Sequence, residues 1–276
     1  MSAFSMANIA GVPLGLALAT HFGWQAPFFA LAAISTVILA SLARVMPTLR
    51  SHLVHLRDET PIARMLAILS GATQRRAFLF MGLLTFTGFV IFPYLPKYLV
   101  ANVGMKEKEL PWLYVCGGFF TMFSMNLIGR WADRSGKRRV FGFMSTASVV
   151  PILLLTNLPP VSLVIAVGAS TLLMVCMTGR FVPAMSLITA SIESKYRGGF
   201  MSVNSSVQQL AAGLAAWVSG MILRQRPTGE IAHFSVIGLV SVFCALFCIY
   251  LSRFLISSAE NGEPRNPVIL GDLEQS

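Results

Sequence analysis

The residues with chemistry to offer are few, and most sit inside or beside apolar stretches. One acid, Asp133, stands among five basic residues in Gly129-Arg130-Trp131-Ala132-Asp133-Arg134-Ser135-Gly136-Lys137-Arg138-Arg139. A carboxylate there can accept from the free backbone N–H groups at the positive end of a neighbouring helix. Arg180 is flanked by long apolar runs. It reads either as a snorkelling residue at the end of a crossing, with its head in water, or as a gate residue paired with a helix terminus or with Glu193. Asn204 and Gln208 are four apart and share a helix face; Ser205 and Gln209 form a second such pair. Amides in an apolar helix seek partners on neighbouring helices or line a polar path. Asn126 reads the same way. Tyr94, between Pro93 and Pro96, suits an interfacial aromatic anchor or the outer end of a path. Gly11 and Gly15 are small residues at i and i+4 that let helices approach closely, and Pro13 between them weakens the helix locally.

None of this is enzyme chemistry. The chain has no His/Glu zinc pattern, no paired membrane aspartates and no phosphate-cradling glycine loop, and a lone Ser without a base is no nucleophile. His52 and His55 lack further ligands and read as solvated loop residues. Cys116, Cys176, Cys244 and Cys248 all lie in apolar runs. Cys244 and Cys248 sit on consecutive turns, a poor geometry for a disulfide, so all four read as reduced and packed. No metal or cofactor is implied.

The elements that must hold these residues are membrane helices. Apolar residues make up 55% of the chain and charged residues 12%, against about 25% charge in a soluble domain. No Asp, Glu, Lys or Arg occurs in 1–43, 140–179 or 198–223. About 20 uncharged residues suffice for one crossing, so the longest runs hold two. The pattern predicts an all-α, polytopic membrane bundle of about eight crossings, at 2–21, 27–43, 77–95, 111–129, 140–157, 161–179, 199–223 and 231–252. A further uncharged run, 181–192, trails the sixth behind Pro183. Within the polar segment 44–76, a Thr-Pro start signal precedes apolar spacing over 60–69, which reads as a surface helix. All eleven Asp and Glu lie in loops, at boundaries or in the tail, so no deep carboxylate announces proton coupling.

The net charge of +10 sits in the gaps between apolar runs, which argues for membrane topology rather than nucleic acid. Segments 44–76, 130–139, 180–197 and the tail hold sixteen of the 21 Lys and Arg. The positive-inside rule puts that side, with both termini, in the cytoplasm of a multi-pass cell-membrane protein. Residues 1–10 lack the basic start of a signal peptide, and the polar tail, 257–276, reads as disordered.

The stretch 129–139 resembles the G-x-x-x-D-R-x-G-R/K-R/K loop of the major facilitator superfamily, matched here by Gly129, Asp133, Arg134, Gly136, Lys137 and Arg138. The segment Ala10-Gly11-Val12-Pro13-Leu14-Gly15 resembles the Gly/Pro motif in the fifth helix of antiporters in that superfamily. The stretches 179–184, 197–202 and 205–210 look like the tenth and eleventh helices of its drug- and sugar-efflux branch. In that register the crossings correspond to helices five to twelve of a twelve-helix fold. The resemblance implies a partial major facilitator fold: 1–43 the last two helices of the first half, 44–76 the central cytoplasmic loop, 77–252 a complete six-helix second half, and 253–276 a cytoplasmic polar tail. It also implies secondary transport, as efflux of a small molecule by alternating access, with a proton gradient as the possible drive. The membrane carboxylates common in proton-coupled relatives belong to the first half. A second reading is a non-transporting membrane fragment or subunit that needs a partner chain, or a second copy of itself, to supply four helices. A third is a start codon assigned too far downstream.

Overall fold

The computed structural model describes residues 11–45, 69–190, Ile192 and 197–260. The surface helix expected over 60–69, His52, His55, Glu193 and the tail beyond 260 lie outside those residues, apart from Leu69. The chain is helical almost throughout: α1 (Val12–Phe22), α2 (Ala26–Val45), α3 (Ala72–Phe89), α4 (Leu95–Ala101), α5 (Leu110–Ser135), α6 (Lys137–Ala147), α7 (Val149–Thr156), α8 (Leu163–Ala190), α9 (Arg197–Ile222) and α10 (Phe234–Glu260). A two-residue antiparallel pair, β1 (Arg224–Gln225) with β2 (Ile231–Ala232), closes the turn between α9 and α10. The fold class read from the sequence is the one observed. Five helical stretches are long and apolar enough to cross a membrane: Ala26–Arg44, Glu107–Ser135, Lys137–Thr156, Leu163–Ala190 and Phe234–Leu255.

Prolines explain where the crossings depart from simple rods. The third crossing is two helices, not one. Pro93 has no N–H for the carbonyl of Phe89, so α3 stops there and the chain turns before restarting at Leu95, with proline in the first turn of α4. In that turn the Ile91 and Tyr94 amides bond to Gly88 and Ile91. The carbonyls of Thr87 and Val90 are instead capped from other helices: Ser241 Oγ of α10 donates to Thr87 O at 2.7 Å, and Ser219 Oγ of α9 donates to Val90 O at 2.7 Å. Pro151 likewise cannot bond the Ala147 carbonyl, which is where α6 gives way to α7. Pro183 does not interrupt α8, which continues to Ala190. The part of the run 181–192 up to Ala190 is therefore the last turns of the sixth crossing.

Residues 72–260 pack as one bundle. Helices α9 and α10 lie on α3, while α8 packs against α5 and α6, and α10 also contacts α7. Glycines set the closest approaches. At Gly179 of α8 an added Cβ would come within 2.6 Å of both Ile128 of α5 and Met144 of α6. One core fills the end around Leu99, Leu113, Ile152 and Phe234; a second fills the other end around Phe80, Phe141, Ile188 and Phe200. Helices α1 and α2 form a hairpin whose described side chains are none of them buried, and α2 exposes Phe28, Phe29, Ile34 and Leu39 around its circumference.

Candidate functional site

The basic loop is barely a loop. Helix α5 runs through Asp133 and Arg134 to Ser135, a single Gly136 at φ +90° turns the chain, and α6 begins at Lys137. That backbone conformation favours glycine, which accounts for glycine at this point of the motif. Ala132 and Val140 are buried and hold the corner to the bundle, while Arg134 and Arg138 are exposed and Gly129 and Lys137 half-buried. Asp133 is exposed and forms no hydrogen bond or ion pair among the described residues. The expected bond to a helix N-terminus is not made here, because the residue faces out from the last turn of its own helix. It lies instead on the wall of an open cleft of about 860 Å³, with Lys137, Arg138, Arg139, Leu187, Ser252 and Arg253.

That cleft marks one end of the bundle. At the opposite end Lys97 Nζ donates to Gln225 Oε1 at 3.2 Å, and Asn102 bonds Ile231 in both directions, Nδ2 to O at 3.0 Å and N to Oδ1 at 2.9 Å. The basic corner and the α4/β1–β2 end are thus kept apart.

Arg180 departs furthest from its sequence reading. It is 1% exposed, in the middle of α8, with ten residues of helix beyond it. It does not snorkel, because the helix continues past it and Arg180 lies on the face of α8 that packs into the bundle. Its Nη2 donates to Thr87 Oγ1 of α3 and to Met177 Sδ, and Thr87 Oγ1 in turn donates to Leu84 O at 2.7 Å. Nε and Nη1 have no partner among the described residues.

Helix α9 carries the amides, and its rotation sorts them. Asn204 is 1% exposed and neither side-chain atom has a partner among the described residues; Gln208 is half-buried. The reason is the contact with α3. Gly82 of α3 admits Val207 and Ala211 so closely that a Cβ on it would lie 3.3 Å from Val207 Cγ1. Asn204, one turn back on the same stripe, is carried inward with them. The other pair, Ser205 and Gln209, points away from the bundle and lines a shallow groove of about 820 Å³ with Ser202, Ser206 and Leu210.

The remaining candidates are dispersed. Asn126 is exposed on α5, its amide reaching back to Met122 O at 3.5 Å. Tyr94 is half-buried and donates to Ala216 O of α9 at 3.2 Å, which ties the turn between α3 and α4 to α9. Gly11 is exposed, and Gly15 is half-buried with nothing within 4 Å of an added Cβ, while α1 as a whole touches α5. Sequence reasoning passed over Thr87, Ser219 and Ser241. The signal was the Pro93/Pro96 pair, which breaks the helix, so that the Ile91 and Tyr94 amides bond elsewhere and hydroxyls on neighbouring helices cap Thr87 O and Val90 O.

Residues 77–270 match the family profile described as Major Facilitator Superfamily. A Bacillus subtilis protein named as an uncharacterized MFS-type transporter, YbcL, is 22% identical over 255 residues, which cover 91% of this chain and 62% of that protein. The proton-coupled antiporter flippase LtaA of Staphylococcus epidermidis, from two strains, is 26% identical over 165 residues, covering 59% of this chain and 42% of LtaA. The chain spans less than two thirds of the length of these curated relatives.

Proposed function

The chain belongs to the major facilitator superfamily, and on that premise we propose that it works as part of a secondary transporter that exports a small molecule across the cell membrane by alternating access. The observation that carries this reading is the outer face of α9. Ser202, Ser205, Ser206 and Gln209 stand exposed along α9, the helix read from the sequence as the seventh crossing, with no described residue packed over them. Hydroxyls and amides have no partner in hydrocarbon, so such a face belongs against water or protein. A path between two halves supplies both. In this arrangement 77–252 is the second half, 1–43 the last two helices of the first, and 44–76 the connection between them. Export by proton antiport is supported by the likeness of Gly11, Pro13 and Gly15 to the antiporter motif, and by a relative named as a proton-coupled antiporter. The described crossings hold no deep carboxylate to carry the proton, and the resemblance places such carboxylates in the first half of the family's fold. The family points to transport rather than catalysis.

A second reading, a membrane subunit that acts only with a partner chain or a second copy, draws support from α1 and α2, which leave every described side chain outside the core.

The path reading is tested on the full chain in membrane vesicles, with its four cysteines replaced and a single cysteine at Ser205 or Gln209. Both positions are expected to react with membrane-impermeant thiol reagents. Inert thiols at both, beside a reactive cysteine at Ser135, would show that the face meets lipid and would remove the basis for a path there.

A further inference from the structure

Arg180 is a buried cation that the described residues leave without a counter-charge. The acceptors it has, Thr87 Oγ1 and Met177 Sδ, are neutral, and two of its three nitrogens have none. A guanidinium does not shed its proton, and an uncompensated one out of water costs several kcal/mol. No described Asp or Glu bonds to it; Glu107, Glu109 and Glu230 belong to one end of the bundle and Asp133 to the other. The helix is weak at this point. Pro183 denies the Gly179 carbonyl its next-turn donor, and at Gly179 α8 lies so close to α5 and α6 that a methyl group would have to displace the side-chain ends of Ile128 and Met144.

We propose that α8 bends at Gly179–Pro183 and brings Arg180 into the space between the transporter halves, where its guanidinium binds the anionic group, carboxylate or phosphate, of the transported molecule. The inference rests on the transporter reading and names the substrate class. The planar fork of arginine matches carboxylate and phosphate oxygens in geometry as well as charge. The ligand-free state carries the unpaired charge and the liganded state relieves it, so binding favours the bent helix by the difference.

Three thiols report on the site without engineering. Cys176 of α8 and Cys244 and Cys248 of α10 lie within electrostatic reach of the guanidinium. The full chain carrying Cys116→Ala, in proteoliposomes, is treated with a sulfonate-bearing and a trimethylammonium-bearing thiol reagent of equal size. The anionic reagent is expected to react about tenfold faster, as a focused positive potential dictates. Millimolar benzoate or phenyl phosphate should protect the thiols, and neutral benzamide should not. Arg180→Gln should bring the rate ratio to about one. Arg180→Lys, which keeps the charge but not the fork, should retain the ratio and lose the protection. Thiols inert to both reagents, equal rates in the unmodified site, an unchanged ratio in Arg180→Gln, or no protection by either anion would each overturn the proposal. The labelling requires no flux and uses no residue of the α9 groove. Its failure is therefore distinct from failure of the path reading, which the Ser205 and Gln209 cysteines test.

Discussion

At the scale of single residues, two side chains keep polar groups in positions that give the static bundle nothing. Asn204 buries an amide with four hydrogen-bonding sites and fills none of them among the described residues. Leaving a buried polar group unpaired costs about 1–3 kcal/mol, whereas an apolar group of the same shape avoids the penalty. Asn204→Leu is therefore expected to raise the melting temperature of the purified chain in detergent; a fall would mean that Asn204 has a partner in the folded protein. Asp133 is the opposite case, an exposed acid with no bond to lose. Asp133→Asn should change stability by no more than about 0.5 kcal/mol, the range of ordinary surface substitutions. In a transporter that contains this chain it should nonetheless depress efflux, because the carboxylate would act in a conformation where the end of a neighbouring helix comes within reach. Undiminished efflux at equal expression would leave the acid without a function.

At the scale of elements, the bundle is held by close approaches that glycine permits and by hydroxyls that cap carbonyls left open where the third crossing breaks. Gly179 meets two helices at once, with an added Cβ within 2.6 Å of Ile128 and of Met144. Gly179→Ala should destabilise the chain by about 1–3 kcal/mol through overpacking, seen as a lower melting temperature. Gly142→Ala serves as the control, since nothing lies within 4 Å of an added Cβ there. Equal effects at the two positions would show that α8 does not press on α5 and α6 as described. The pairing of Ser219 with Val90 and of Ser241 with Thr87 explains how a broken third crossing survives within a membrane bundle. Its orphaned carbonyls are satisfied by α9 and α10 instead of by water.

At the scale of the whole molecule, the two ends differ in charge. The corner at 130–139 gathers with Arg253, whereas Lys97 sits with Gln225 at the far end. Removing Arg180 from the count of flanking cations, since it lies mid-helix, leaves the asymmetry standing. A cysteine at Ser135 should be labelled from the cytoplasmic side only; labelling from outside alone would invert the topology. The chain spans less than two thirds of its curated relatives, and alternating access needs two halves rocking about a shared site. The purified 276-residue chain is therefore expected to show no saturable, gradient-driven flux of drugs, sugars or organic anions in proteoliposomes. Flux from the pure chain would instead require two copies to build one path.

Several features of this protein were decided by sequence alone. Uncharged runs of membrane-spanning length dictate helices in lipid, because no other open structure satisfies its backbone there. The spacing of Gly129, Asp133, Arg134, Gly136, Lys137 and Arg138 carried the family, and Gly136 fixed the corner through its left-handed backbone. The limits of the crossings were less legible: Pro93 and Pro151 end helices and Pro183 does not, since a proline inside a helix is tolerated where packing holds the turns on either side. Which side of each helix faces its neighbours was not legible at all. In a soluble helix a polar stripe marks the water side, but in a uniformly apolar helix lipid and protein look alike to the sequence. Only the fit of Val207 and Ala211 against Gly82 turned Asn204 inward and Gln209 outward. Only the uninterrupted length of α8 moved Arg180 from the membrane surface, where a charge is cheap, to the interior, where it is not.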